Sequence, residues 1–229
     1  MKPVAVFDVD GTIFRSSLTV ELVEGLIHNS IFSEDVRSEY TNEKESWLNR
    51  QEDYQTYINA VERTFVTHIK GVHYSDFLNV AKDVARLYQG RVYRFTRDLL
   101  ADLKADGYFL LAVSQSPKGI LDLFCESMGF DKTYGRFYEL GPSDRFTGSI
   151  LDEHIIANKA HIVKRALEKE PITIHGSYGV GDTEDDISFL EHVTYPICFN
   201  PNKSLYQHAK LNGWRVVVER KDVMYEIQG

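Results

Sequence analysis

Two aspartates set at the end of an apolar run, Asp8 and Asp10 in Asp8-Val9-Asp10-Gly11-Thr12, could serve one reaction centre. The preceding Pro3-Val4-Ala5-Val6-Phe7 reads as a buried strand. Residues two apart on a strand face the same way, so both carboxylates point to a site at its carboxyl end, and Gly11 gives the backbone freedom to turn away. Companions follow at three later places: Ser114 after Leu110-Leu111-Ala112-Val113, Lys159 in Asn158-Lys159-Ala160, and Asp182 to Asp186 after a strand ending near Val180. Each has an ordinary reading alone: a solvated Asp-Gly turn, a serine cap, a solvated helix lysine, an acidic helix start favoured by the dipole. Their joint occurrence, at strand ends and helix starts of an α/β pattern, points to one pocket in the crevice beyond the strands.

Charge narrows the chemistry. Asp8, Asp10, Asp182 and Asp186 within about 6 Å of one another would repel by roughly 3 kcal/mol per pair at an effective dielectric near 20. A divalent cation removes that difficulty, and an all-oxygen donor set with no His or Cys nearby favours Mg²⁺ over zinc. Lys159 adds positive charge and Ser114 a hydroxyl donor, both suited to phosphate oxygens. The set reads as a phosphoryl site with a carboxylate nucleophile.

The elements that must position these groups follow a βα rhythm. Helices are predicted over 96–105, 116–128 with Pro117 at the tolerated first position, and 157–169, with a further one ending near Asn212-Gly213. Strands are predicted over 108–113, 172–178, 195–199 and 215–218, and the turn signals in 136–150 suggest a hairpin. Alternation of this kind argues an α/β fold, a Rossmann-like parallel sheet covered by helices on both faces. The segment 16–89 instead repeats apolar residues at helical spacing, as in Leu18, Leu22 and Leu26, and reads as an all-helical cap inserted after the first strand. The expected division is a catalytic core of 1–15 and 90–229 and a cap of 16–89.

At the four segments the chain resembles the haloacid dehalogenase superfamily of phosphohydrolases. Asp8-Val9-Asp10-Gly11-Thr12 matches its first motif, Ser114 the second, Lys159 the third and Gly181-Asp182-Thr183-Glu184-Asp185-Asp186 the fourth. The stretch 182–190 and the helical insertion look most like the phosphoserine phosphatase branch. The resemblance implies that Asp8 is the nucleophile that becomes an aspartyl phosphate and Asp10 the acid that protonates the leaving alcohol and then activates water. It implies that Ser114 and Lys159 hold phosphoryl oxygens with backbone amides at Asp10, Gly11 and Gln115. It also implies that Asp8, the Asp10 carbonyl and Asp182 bind Mg²⁺ while Asp186 ligates or orients its shell, with Asp185 as the competing choice. Two departures count against phosphoserine as the substrate. Phe14-Arg15-Ser16-Ser17 stands where that branch has a glutamate for the substrate amine, and Gln115-Ser116-Pro117 replaces its glycine pair.

The 229 residues, 43% apolar, suffice for an ordinary core, and a net charge of −8 disfavours nucleic acid as a partner. Cys125 and Cys198, each in an apolar segment, read as reduced core thiols. No stretch is long enough to span a membrane and no signal-peptide pattern opens the chain, so a cytoplasmic protein without membrane partner is expected. Gly179-Val180-Gly181 lacks the rest of a dinucleotide fingerprint, and there is no Walker loop. His68 and His73 read as surface or cap residues and Asp152-Glu153-His154 as a solvated helix start. Tyr40, Trp47, Tyr54, Tyr57 and Phe65 read as cap packing, with room for one or two to face substrate. The expected activity is Mg²⁺-dependent hydrolysis of a small-molecule phosphomonoester. A phosphotransferase passing the group to an alcohol and a non-catalytic phosphate-sensing module are the alternatives; the sequence sets no oligomeric state.

Overall fold

The computed structural model describes residues 1–152 and 158–227. Eight strands form one sheet: β1 (Lys2–Asp8), β2 (Phe109–Pro117), β3 (Lys132–Leu140), β4 (Phe146–Leu151), β5 (Ile172–Gly181), β6 (Tyr195–Phe199), β7 (Arg215–Arg220) and β8 (Val223–Ile227). Their order is β4-β3-β2-β1-β5-β6-β7-β8. The six inner strands are parallel, and the edge strands β4 and β8 run antiparallel to β3 and β7. The expected parallel sheet is therefore a mixed one. Each edge strand follows its neighbour after a connection too short for a crossover, so it can only return antiparallel.

Alternation along the strands feeds two cores. Ala5 and Phe7 of β1, with Leu110 and Ala112 of β2, enter one cluster, while Val4, Val6, Leu111 and Val113 enter the other. Over the first face lie α1 (Leu18–His28), α3 (Tyr54–Ile69), α4 (Tyr74–Tyr88), α5 (Arg94–Ala105) and α6 (Lys118–Glu126). Over the second lie α7 (Lys159–Lys169), the single turn α8 (Ile187–Leu190) and α9 (Lys203–Asn212). The short α2 (Thr41–Leu48) buries no residue of its own. Between residues 16 and 89 every described regular element is helical. These helices share the first cluster with the sheet, through Leu22, Leu26, Val61, Phe65 and Phe77 among others.

Two boundaries differ from the sequence reading. β2 continues through Pro117, and α6 starts at Lys118 rather than 116, because the Ser114 hydroxyl accepts from the Ser116 amide at 2.8 Å and keeps the chain extended. β8 was not anticipated, since all five of its residues are exposed and carry no burial pattern. Cys125 and Cys198 are buried thiols. Glu153 and His154, in the expected helix start at 152–154, and residue 157, where the helix over 157–169 was expected to start, fall outside the described residues. Among the described residues no helix is long and apolar enough to cross a membrane.

Candidate active site

The chain leaves β1 in opposite directions, β2 to one side and β5 to the other, and the crevice beyond their carboxyl ends holds the candidate residues. Asp8 is the last residue of β1 and is 4% exposed. Its Oδ1 accepts from Lys159 Nζ at 2.6 Å, and the same ammonium donates to Asp186 Oδ1 at 2.5 Å. Lys159 arrives there as the first residue of α7, whose start is capped by Asn158 accepting from the Ala160 amide at 2.9 Å. Asp8 Oδ2 is buried without a hydrogen-bond partner among the described residues.

Asp8, Asp182 and Asp186 bring carboxylate oxygens within 4.8 Å of one another. Asp186 also accepts from the amides of Asp182 (2.9 Å) and Thr183 (3.1 Å), so it is fixed by the turn it stands in. Asp182 accepts from the Thr12 hydroxyl at 3.2 Å. Burial pushes the Asp8 carboxyl up to about 7, with Lys159 opposing and Asp186 and Asp10 reinforcing the rise. Burial raises Asp182 as well, and Asp8 and Asp186 add to it. For Lys159, burial works against the charge, but Asp186 and Asp8 outweigh it and hold the ammonium protonated. Three carboxylates against one lysine, all donors oxygen, and one buried oxygen left over together fit a hard divalent cation.

Asp10 lies outside the set whose carboxylate oxygens come within 4.8 Å of one another, though its charge still acts on Asp8. Asp10 Oδ2 accepts from the hydroxyls of Ser114 (2.5 Å) and Ser116 (2.8 Å), and its Oδ1 from the Leu18 amide at 2.5 Å. Burial raises its carboxyl, and those three donors pull the other way. Gly11 closes the turn after β1. Its amide donates to the carbonyls of Phe14 (2.9 Å) and Ser16 (3.2 Å), closing the loop on itself. The glycine is required for room: its φ is +84°, and a Cβ would collide with the Asp182 carboxylate.

A cavity of about 70 Å³ opens beside these groups, with Asp10, Lys159 and Asp182 on the sheet side. Its roof is α3, which contributes Tyr54, Gln55, Ile58 and Glu62. Gln115 lines the rim, donating to Asp185 Oδ2 at 3.3 Å and accepting from Arg136, whose other nitrogen donates to Glu62 Oε2 at 2.7 Å. The adjacent acids thus divide: Asp186 lies in the three-carboxylate cluster and Asp185 at the rim. Sequence reasoning missed Ser116, Thr12, Glu62 and Arg136. Ser116, two residues along the strand from Ser114, and Thr12, inside the first motif, had a signal that could have found them. His68 pairs with Glu39 at 2.7 Å and His73 caps α4, both away from the site.

This sheet order and site define a hydrolase of the haloacid dehalogenase type. The family model described as haloacid dehalogenase-like hydrolase matches residues 5–191, and the chain belongs to that family. It is 23% identical to the histidinol-phosphatase of Neisseria meningitidis serogroup C (strain 8013), over 95% of this chain and 99% of that protein. It is 21% identical to the phosphoserine phosphatase SerB1 of Mycobacterium tuberculosis (strain ATCC 25618 / H37Rv), over 93% and 69%. Among solved structures it resembles a protein of unknown function from Bordetella pertussis Tohama I, with a TM-score of 0.74, 18% identity and coverage of 94% and 98%. It also resembles a phospho-aspartyl intermediate analogue of phosphoserine phosphatase, with a TM-score of 0.64, 18% identity and coverage of 96% and 95%. The fold is that of the phosphoserine phosphatase-like members, and the chain stands among the family's phosphatases.

Proposed function

We propose that the chain hydrolyses a small phosphomonoester with Mg²⁺, through an aspartyl phosphate on Asp8, beneath a helical cap formed by residues 16–89. The observation that carries this reading is the Asp8 carboxylate, with Lys159 on one oxygen and the other buried without a partner among the described residues. Asp8 Oδ2 attacks phosphorus as the ester P–O bond breaks, and the departing oxygen takes a proton from Asp10. Water then attacks the acyl phosphate, Asp10 takes a proton from that water, and the P–O bond to Asp8 breaks to release inorganic phosphate. The raised Asp10 carboxyl suits it to hold the first proton, and Ser114 and Ser116 keep it aimed. Lys159 favours the ionised form of Asp8 against the rise that burial imposes, and places it.

Asp8, Asp182 and Asp186, with the Asp10 carbonyl, would hold Mg²⁺, which when bound neutralises charge on the phosphoryl oxygens. The two relatives support the reaction class by their names, as phosphatases of small phosphorylated metabolites. The test is phosphate release from a panel of small esters with and without Mg²⁺. Release should need the metal, stop with EDTA, and fall at least about a thousandfold in Asp8→Asn. Turnover by Asp8→Asn near that of the native chain would sink the mechanism.

A further inference from the structure

The two edges of the sheet end differently. The outer side of β4 is closed by the chain before α4: the Phe146 amide donates to the Val72 carbonyl at 3.0 Å, and the Gly71 amide to the Phe146 carbonyl at 2.8 Å. Gly148, at φ +90°, and a register shift against β3 between Tyr138 and Leu140 disturb the rest of that edge. Among the described residues β8 has none of these protections. It pairs with β7 in unbroken register from Val216 opposite Ile227 to Arg220 opposite Val223, and no strand lies on its other side.

Its side chains also lack the usual safeguards of an open edge. Val223, Met224, Tyr225 and Ile227 are between 37% and 53% exposed. The strand has no proline or lysine, and its one charged residue, Glu226, is engaged by Arg215 of β7. Two copies of a chain of net charge −8 meet most readily where the surface carries least charge, and this strand is such a place.

Charge and hydrogen-bond phase then select one antiparallel register of β8 with itself. Arg220 and Val223 flank the two-residue turn Lys221-Asp222 and so form a hydrogen-bonded pair. By alternation Tyr225 and Ile227 also bond to β7, while the amides and carbonyls of Met224 and Glu226 point outward. The outward groups of two copies meet when Met224 lies opposite Glu226 of the second copy, which sets Tyr225 against Tyr225 and Val223 against Ile227. Sliding by one residue opposes outward groups to inward ones. Sliding by two opposes Glu226 to Glu226 or to Asp222, and like charges directly across a ladder are destabilising.

We propose that the protein forms a two-fold dimer by antiparallel pairing of β8 with β8 of a second copy, which joins the two sheets into one. Tyr225 lies at the two-fold. Val223, Tyr225 and Ile227 share the face of Val216, a member of the second core, so pairing carries an apolar row from one copy into the next. The crevice beyond β1, β2 and β5 stays open, and the dimer does not depend on the reaction proposed above.

A single short strand makes a small interface, so association is expected in the micromolar range. Sedimentation velocity of the full chain from about 1 to 100 µM should show a monomer passing to a dimer. Tyr225→Lys, which opposes two ammonium groups at the two-fold, should raise the dissociation constant about tenfold or more. Met224→Pro removes an outward amide, spares the ladder to β7 and should do the same, with circular dichroism melting confirming that each variant folds. Cys125 and Cys198 are buried, so an added surface thiol reports the register. Tyr225→Cys should crosslink two copies on air oxidation, whereas Val223→Cys, facing Ile227, should not. A monomer throughout the range overturns the proposal. So does a dimer that neither Tyr225→Lys nor Met224→Pro weakens, or crosslinking of Val223→Cys as ready as that of Tyr225→Cys.

Discussion

In the proposed reaction Asp10 gives the leaving oxygen its proton, and the three donors on its carboxylate set how firmly it keeps one. Burial raises it, while Ser114, the Leu18 amide and Ser116 lower it, so removing one donor lets burial act further. Ser116→Ala should therefore move the basic limb of the kcat/KM profile to higher pH, since that limb reports loss of the acid's proton. A limb that stays put or falls would remove Asp10 from the role. Asp8 gives a second prediction. Its folded carboxyl, at about 7, lies above the ordinary 3.8 chiefly through burial, so its contribution to stability is full below about pH 4 and is lost as pH rises through 7. A divalent cation binds the ionised form and offsets that loss. Mg²⁺ should raise the thermal midpoint of the protein more at pH 8 than at pH 5, and equal shifts would argue against the three-carboxylate site. Asp8, Asp10, Ser114, Lys159, Asp182 and Asp186 were legible because each follows a strand or opens a helix in a recognisable order. Glu62 and Arg136 were not, since a single polar residue on an amphipathic element looks like any solvated one until the other wall of the cavity is known.

The elements act mainly by presenting their ends. α7 brings Lys159 to Asp8 from its first residue, and the cap at Asn158 fixes where that residue begins. Asn158→Ala should cost about 1 kcal/mol of stability in a denaturant titration. It should also lower phosphate release, whereas Asn158→Asp should retain both. Loss of stability with untouched turnover would mean that Lys159 is placed by its ion pairs alone. The repeating helices and buried strands were readable from their periods, down to the Gly213 that ends α9 in the left-handed region. Two features were not. The extension of β2 through Pro117 depends on a hydroxyl meeting an amide two residues on, and β8 is held by pairing to β7 rather than by burial. Neither leaves a hydrophobic pattern.

At the scale of the whole molecule, an inserted helical segment suggests a separable cap, yet its apolar faces are not closed off from the sheet. Phe77 of α4 meets Phe65 of α3 at 6.4 Å between ring centroids and Phe146 of β4 at 5.2 Å, so one cluster runs from the inserted helices into the sheet. A segment that shares its core cannot lose that contact without exposing the apolar surface of both parts. The protein's two tryptophans test this. Trp47 of α2 stacks on Tyr57 within the inserted helices, and Trp214 packs in the cluster on the opposite face, against His208 of α9. In Trp47→Phe and Trp214→Phe proteins, the remaining tryptophan should report the same urea midpoint once each variant's own stability change is measured by circular dichroism. Phe77→Ala, which should cost about 3–5 kcal/mol, should lower both midpoints together. An earlier Trp47 transition, or a Phe77→Ala shift seen by Trp47 alone, would show the inserted helices folding as an independent unit. Coincident transitions would mean that the inserted helices and the sheet unfold as one cooperative unit through their shared core.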